Sequence, residues 1–198
     1  HHKLKHPNVL PMLGCFADDE YVYFVLEMCQ GGDLFKCLRH NGPLREELAV
    51  HVIQQLICGL EYIHNHNVVH RDLKLSNILL TGDIQNFNTT VKIADFGLAV
   101  RKEHPDEEHF TLCGTPNYIA PEIASREAHG YPADLWSIGC LFYSLVVGAP
   151  PFEGEDKDAT LARVQTGVYD EPERSVMSNL GRDFVRSLLE LVRRKYLH

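Results

Sequence analysis

The sequence is most constrained by a change of hydrophobic period in mid-chain. From Arg45 to His64, apolar residues return at Leu48, Val52, Leu56, Leu60 and Ile63, which is one face of a helix. A polar segment follows, His70-Arg71-Asp72-Leu73-Lys74-Leu75-Ser76-Asn77. Two short apolar runs come next, Ile78-Leu79-Leu80 and Val91-Lys92-Ile93-Ala94. Runs of three or four residues predict the strands of a hairpin, and residues 81–90 form its loop, long for that purpose.

Tyr21 to Glu27 is β-branched and aromatic, and reads as a strand buried in a core. Gly31-Gly32 ends the connection after it, and Asp33 to His40 reads as a short helix with Asp33 at its N-cap. Residues 101–125 are polar and rich in turn formers. A second strong helix is expected from about Ala133 to Val147, entered after Pro132 and stopped by Gly148 and Pro150-Pro151. A last helix, 178–195, would keep Leu180, Phe184, Leu188, Leu191 and Val192 on one side.

Composition narrows the function. With 44% hydrophobic and 23% charged residues the chain is an ordinary globular one, not a disordered or fibrous one. The formal net charge of −8, with no basic cluster, argues against nucleic acid or an anionic membrane as partner. The longest apolar stretch, 135–151, is interrupted and short of the ~20 residues that span a bilayer. Six cysteines occur with no C-x-x-C pair, so reduced thiols in an intracellular protein are expected rather than zinc or disulfides. His64, His66 and His70 lie close together, but only the last two have helical ligand spacing, so no metal is expected there.

Eighteen residues beyond Asn77, directly after the second apolar run, stands Asp95-Phe96-Gly97. Gly114-Thr115-Pro116 and Ala120-Pro121-Glu122 follow. In this order the segments resemble the eukaryotic protein kinases, with their H-R-D-L-x-x-x-N, D-F-G and A-P-E signatures. Lys74 and Gly114-Thr115-Pro116 are similar to the Ser/Thr branch. Cys29-Gln30-Gly31-Gly32-Asp33-Leu34 and the run 111–123 resemble the polo-like kinase family. Ala128-His129-Gly130 and Met28-Cys29 look most like its fourth, Sak branch, which implies a link to centriole duplication and the cell cycle, in the cytoplasm or at centrosomes.

The resemblance implies a kinase-like α+β fold, ATP and Mg²⁺ as cofactors, and protein substrates. Phosphoryl transfer is mostly positioning and charge neutralisation. Asp72 would accept or orient the proton of the attacking hydroxyl, Lys74 would approach the γ-phosphate, and Thr115 would bond to both. Asn77 and Asp95 offer the oxygen ligands that Mg²⁺ prefers. Leu26 falls at the gatekeeper position. The backbone of Glu27 and Cys29 would meet the adenine edge, with Leu79 as floor and Ala94 beside it. Arg71 would pair with a phosphate on the activation segment, whose expected acceptor is Thr111. His70, Phe96, Gly97 and Asp134 are expected to be structural, Asp134 by bonding back to the catalytic loop. Glu122 would be buried, in an ion pair with a C-terminal Arg.

The resemblance also has edges. It begins at His6-Pro7-Asn8-Val9, and no G-x-G-x-x-G-x-V loop or V-A-I-K lysine is found. Residues 1–29 then correspond to a remnant of the small lobe and the hinge, and 30–198 to a large lobe truncated before its last helices. The Arg partner of Glu122 is not visible, which would cost a buried Glu122 about 3–5 kcal/mol. These 198 residues alone are expected to bind nucleotide weakly and turn over negligibly. The alternative is a pseudokinase-like scaffold. Against it stand Asp72, Lys74, Asn77 and Asp95, all intact.

Overall fold

The computed structural model describes residues 4–104, 107 and 109–190. Seven short strands and six helices are assigned among them. Strands β1 (Met12–Ala17) and β2 (Val22–Leu26) form an antiparallel hairpin. β3 (Gly32–Asp33) leads into α1 (Leu34–Asn41), and α2 (Glu46–Asn65) follows. Next come β4 (Val68–Val69), β5 (Ile78–Leu80), β6 (Val91–Ile93) and β7 (Val100–Arg101). Helices α3 (Pro121–Ala124), α4 (Tyr131–Val147), α5 (Lys157–Thr166) and α6 (Asn179–Leu188) complete it.

Local chemistry accounts for the helix ends. The Asp33 carboxylate accepts from the Lys36 N–H at 2.8 Å and caps α1. Gly148 closes α4 in the left-handed conformation, φ +92°, its N–H bonding back to the Ser144 carbonyl. Helix α2 buries the five expected residues together with Ala49, Ile53 and Gly59. Helix α4 is buried nearly all round and forms the centre of the core, with α2 and α6 packed on it.

The hairpin expected from the two apolar runs is present: β5 pairs with β6 in antiparallel register, and Thr81 and Thr90 close the long loop. On its other edge β5 pairs with β3. Gln55 on α2 ties the loop down. Its amide bonds Thr89 O and the Val91 N–H, and Asn8 bonds both Gln55 and Val91 O.

Three expectations need correction. Strand β2 is not buried. All five of its residues are exposed, because among the described residues no third strand or helix covers the two-stranded ribbon. In α6, Leu180 is 83% exposed. The helix turns Gly181 and Val185 inward instead, and an added Cβ on Gly181 would collide with Met177 and Glu46. Residues 191–198, on which the predicted end of that helix falls, lie outside the described residues. Finally, α5 and β1 were not foreseen in the sequence. Helix α5 buries only Thr160 and Val164, too little to leave a periodic signal.

Candidate active site

The polar segment 70–77 lies between α2 and β5 in the chain and is bonded to the first turn of α4. Asp72 sits at its centre and is nearly buried. Its Oδ2 is 2.7 Å from Lys74 Nζ, and its Oδ1 accepts the Thr115 hydroxyl at 2.9 Å. Lys74 also donates to Thr115 Oγ1 at 3.0 Å, so the three side chains close a ring. Asn77 adds a fourth contact. Its Nδ2 donates to the Asp72 carbonyl at 2.9 Å and to Oδ2 at 3.2 Å. The four residues picked for catalysis thus meet at one carboxylate. A carboxylate offers about four lone-pair sites. Lys74, Thr115 and Asn77 take three, which leaves one for an incoming donor.

The loop is held from beneath by Asp134, in the first turn of α4. Its fully buried carboxylate accepts the His70 N–H at 2.9 Å and the Arg71 N–H at 2.8 Å, and contacts His64 Nε2 at 2.8 Å. His70 Nε2 donates to the Ala94 carbonyl at 3.0 Å while its Nδ1 accepts the Asp72 N–H at 3.3 Å. Only the neutral ring with its proton on Nε2 satisfies both bonds. Burial pushes the His70 pKa down, although Asp134, Asp72 and Asp95 pull it up. The Phe96 ring packs edge-on against His70 at 5.0 Å.

Asp95 follows β6 with a left-handed backbone, φ +60°, and an exposed side chain. Its Oδ1 accepts the Gly97 N–H at 3.2 Å. Ala94 fixes this corner to the loop, since its N–H donates to Asn77 O. Leu79 points away from the core that takes Ile78 and Leu80, and Ala94 is buried. Leu26 is 41% exposed on β2. The Glu27 N–H bonds Pro11 O, and the Cys29 carbonyl accepts from Gly32. Burial raises the Cys29 thiol pKa, with Glu27 adding to it.

Arg71 has φ +67° and donates from Nε to Leu98 O at 2.8 Å. Its charge also reaches Cys113, whose thiol burial pushes up and Arg71 draws back. Thr111, two residues before Cys113, is exposed. Glu122 is half-buried at the start of α3, not buried as expected. Its backbone carbonyl accepts from Glu127.

Three supporting residues escaped the sequence reading. His64 completes the Asp134 contacts. Lys92 is buried within β6, and its Nζ reaches Glu27 at 3.2 Å and Pro7 O at 3.1 Å. A lysine inside an apolar strand was the available signal. Gly114 has φ +101°, and a Cβ there would stand 2.8 Å from Arg71 O and from Ile119. It lets the Thr115 segment close on the loop.

A sequence model of the protein kinase domain matches residues 1–197. The chain belongs to the protein kinase family. It is similar to "Serine/threonine-protein kinase PLK4" of Drosophila ananassae, 46% identical over 193 residues, which cover 97% of this chain and 24% of that protein. Against the Drosophila melanogaster protein of the same name it is 46% identical over 191 residues, 96% and 24% of the two chains. The Xenopus tropicalis protein of that name gives 44% over 190 residues, 96% and 19%. The kinase chain therefore spans about a quarter or less of the length of the curated relatives it matches.

Kinases generally use ATP with Mg²⁺, and the donor set here fits that group. Asn77 spends its amide nitrogen on Asp72 and keeps its side-chain carbonyl oxygen as a donor atom for a metal. Asp95 keeps one carboxylate oxygen beyond the bond to Gly97. Mg²⁺ needs only one or two such protein oxygens, because phosphates and waters supply the rest. No cluster of three or more His, Cys, Asp or Glu that could hold a metal ion occurs among the described residues. Nor is any helix among them long and apolar enough to cross a membrane.

Proposed function

We propose that the protein is a Ser/Thr kinase that transfers the γ-phosphate of ATP to a protein hydroxyl. The observation that carries this reading is the single Asp72 carboxylate shared by Lys74, Thr115 and Asn77. The free lone pair of Asp72 accepts the proton of the substrate Ser or Thr hydroxyl and aims its oxygen. Lys74 lies against that carboxylate at 2.7 Å and presents positive charge to the transferring group. Asn77 and Asp95 hold Mg²⁺. Leu26, Leu79, Ala94 and the backbone of Glu27 and Cys29 hold the adenine. Bound Mg-ATP supplies the phosphoryl group and offsets its charge.

Arg71 and Thr111 form the regulatory pair, in which a phosphate on Thr111 meets the Arg71 guanidinium. Residues 1–29 act as the hinge side of the nucleotide site and 30–198 as the catalytic and substrate side. Likeness to proteins named PLK4 supports a place in the cytoplasm or at centrioles, with protein substrates. The test is a phosphate-transfer assay on the full-length protein with Mg-ATP and a mixed protein substrate. Asp72→Asn should lower kcat by about 10²–10⁴. Transfer at equal rates in both proteins would discard this reading, and no transfer in either would leave a non-catalytic scaffold.

A further inference from the structure

Lys92 is the middle residue of β6, and its strand neighbours Val91 and Ile93 are wholly buried. Across the sheet it stands opposite Leu79 of β5. Paired residues share a face of a sheet and successive ones alternate, so Lys92 lies on the face of Leu79, away from the core that Val91 and Ile93 enter. Leu79 is the residue assigned above to the adenine floor. Lys92 is 8% exposed, and a lysine so placed must find partners for its charge.

Both partners belong to the base of the β1–β2 ribbon. Lys92 Nζ donates to the Pro7 carbonyl at 3.1 Å, ahead of the ribbon, and lies 3.2 Å from Glu27 Oε2, directly after it. Between these contacts the backbone of residues 8–10 runs beside β6. The Ile93 N–H donates to Asn8 O at 2.9 Å, and the Leu10 N–H donates to Ile93 O at 2.8 Å. The Glu27 N–H closes the base on Pro11 O at 3.3 Å. One ammonium therefore ties the entry and the exit of the ribbon to the strand that leads into Asp95. Glu27 opens the stretch whose backbone is set against adenine, and the charges of both Glu27 and Lys92 reach the Cys29 thiol.

Recognition through backbone groups depends on where the chain is held, because N–H···O bonds want about 2.7–3.2 Å. We propose that Lys92 is a positioning residue for the adenine of ATP: by holding Glu27 it sets the 27–29 backbone against the Leu79 floor, and it takes no part in phosphoryl transfer at Asp72. The inference rests on the kinase reading and carries it from the reaction to nucleotide affinity.

The test uses the full-length protein, with Mg-ATP and casein for turnover and calorimetry for the binding of adenosine and of Mg-tripolyphosphate. Lys92→Met keeps the stem and removes the charge. It should raise KM for ATP and Kd for adenosine by about tenfold, the scale of one lost hydrogen bond. Kd for tripolyphosphate should stay where it was, and kcat should remain within about twofold of the parent, since the Asp72 contacts are made elsewhere. Lys92→Arg, which keeps the charge, should recover most of the affinity. Glu27→Gln should also raise KM for ATP. Combined with Lys92→Met it should add little, because one contact is not lost twice. Where Lys92→Met does not fold, Glu27→Gln and Lys92→Arg carry the comparison.

An unchanged Kd for adenosine in Lys92→Met and Glu27→Gln would overturn the proposal. So would equal losses for adenosine and tripolyphosphate, a fall in kcat with KM for ATP unmoved, or a parent that binds no adenosine. A parent that binds adenosine but transfers no phosphate to casein would overturn the kinase reading alone, and the two Kd values would still decide the role of Lys92.

Discussion

The Asp134 carboxylate and the Arg71 backbone N–H meet at 2.8 Å across 63 residues of sequence, and the contact fixes Arg71 at φ +67°. Holding a residue with a side chain in that region costs about 1–3 kcal/mol. The fold maintains it because the same carboxylate also takes the His70 N–H. Asp134→Ala would leave two backbone donors without their acceptor, and should lower stability by about 3–5 kcal/mol. Asp134→Asn keeps one acceptor oxygen and should cost about 1–3 kcal/mol. Urea denaturation of the two variants measures both. Midpoints unchanged from the parent would remove Asp134 from its role as the loop's anchor.

Gly114 makes a sharper demand than its neighbours. Its φ of +101° is strained for any residue with a Cβ, and the added carbon would press on Arg71 O and Ile119 at 2.8 Å. Gly114→Ala should therefore displace Thr115 from Asp72 and lower kcat by at least about tenfold. KM for ATP should barely move, since the nucleotide-side residues lie elsewhere. A steady-state assay that found KM changed and kcat intact would contradict this.

The Asp72 cluster was legible in the sequence because its members are close together. Asp72, Lys74 and Asn77 lie within six residues, and Asp95 stands directly after a readable strand. Thr115 was readable only through its motif. What the sequence hid is support that arrives from a distance. Nothing at His64 announces a partner 70 positions away, and Lys92, a lysine inside an apolar strand, signals a partner without naming Glu27, 65 positions away. Leu180 misled for a different reason. A scheme that counts apolar side chains gives no weight to Gly181, yet its missing side chain is what lets α6 approach Met177. The exposed β1–β2 hairpin looked like core because its residues are apolar, and burial depends on what covers them.

Thr115 links Asp72 and Lys74, donating to the first and accepting from the second. Thr115→Val keeps shape and removes the hydroxyl. Asp72 then loses one of its three donors and Lys74 one of its two partners. Loss of a positioned donor of this kind is worth about 10²–10³ in kcat at its strongest. A fall of about tenfold to a hundredfold is expected here, because Lys74 still contacts Asp72 directly. Thr115→Ser should restore most of the rate. Equal activities in Val and Ser variants, measured at saturating ATP, would show that the hydroxyl is not needed.

His70 gives the fold a dependence on acid. It is fully buried and neutral, and burial holds its pKa below the free value of about 6.5. In the unfolded chain the same ring takes up a proton as pH falls through about 6.5. The unfolded state then binds more protons than the folded one, so stability must fall with pH. The contribution is complete above about pH 6.5 and is lost downward from there until the folded pKa is reached. His129, also held low by burial, acts in the same direction. The slope for one proton is at most about 1.4 kcal/mol per pH unit. Urea midpoints between pH 7.5 and 5 should therefore decline in the parent protein. His6 is likewise held low by burial, so His70→Asn, less stable at neutral pH, should be less steep in its decline because one of three protonations is gone. Parallel declines in parent and variant would place the pH dependence on other groups.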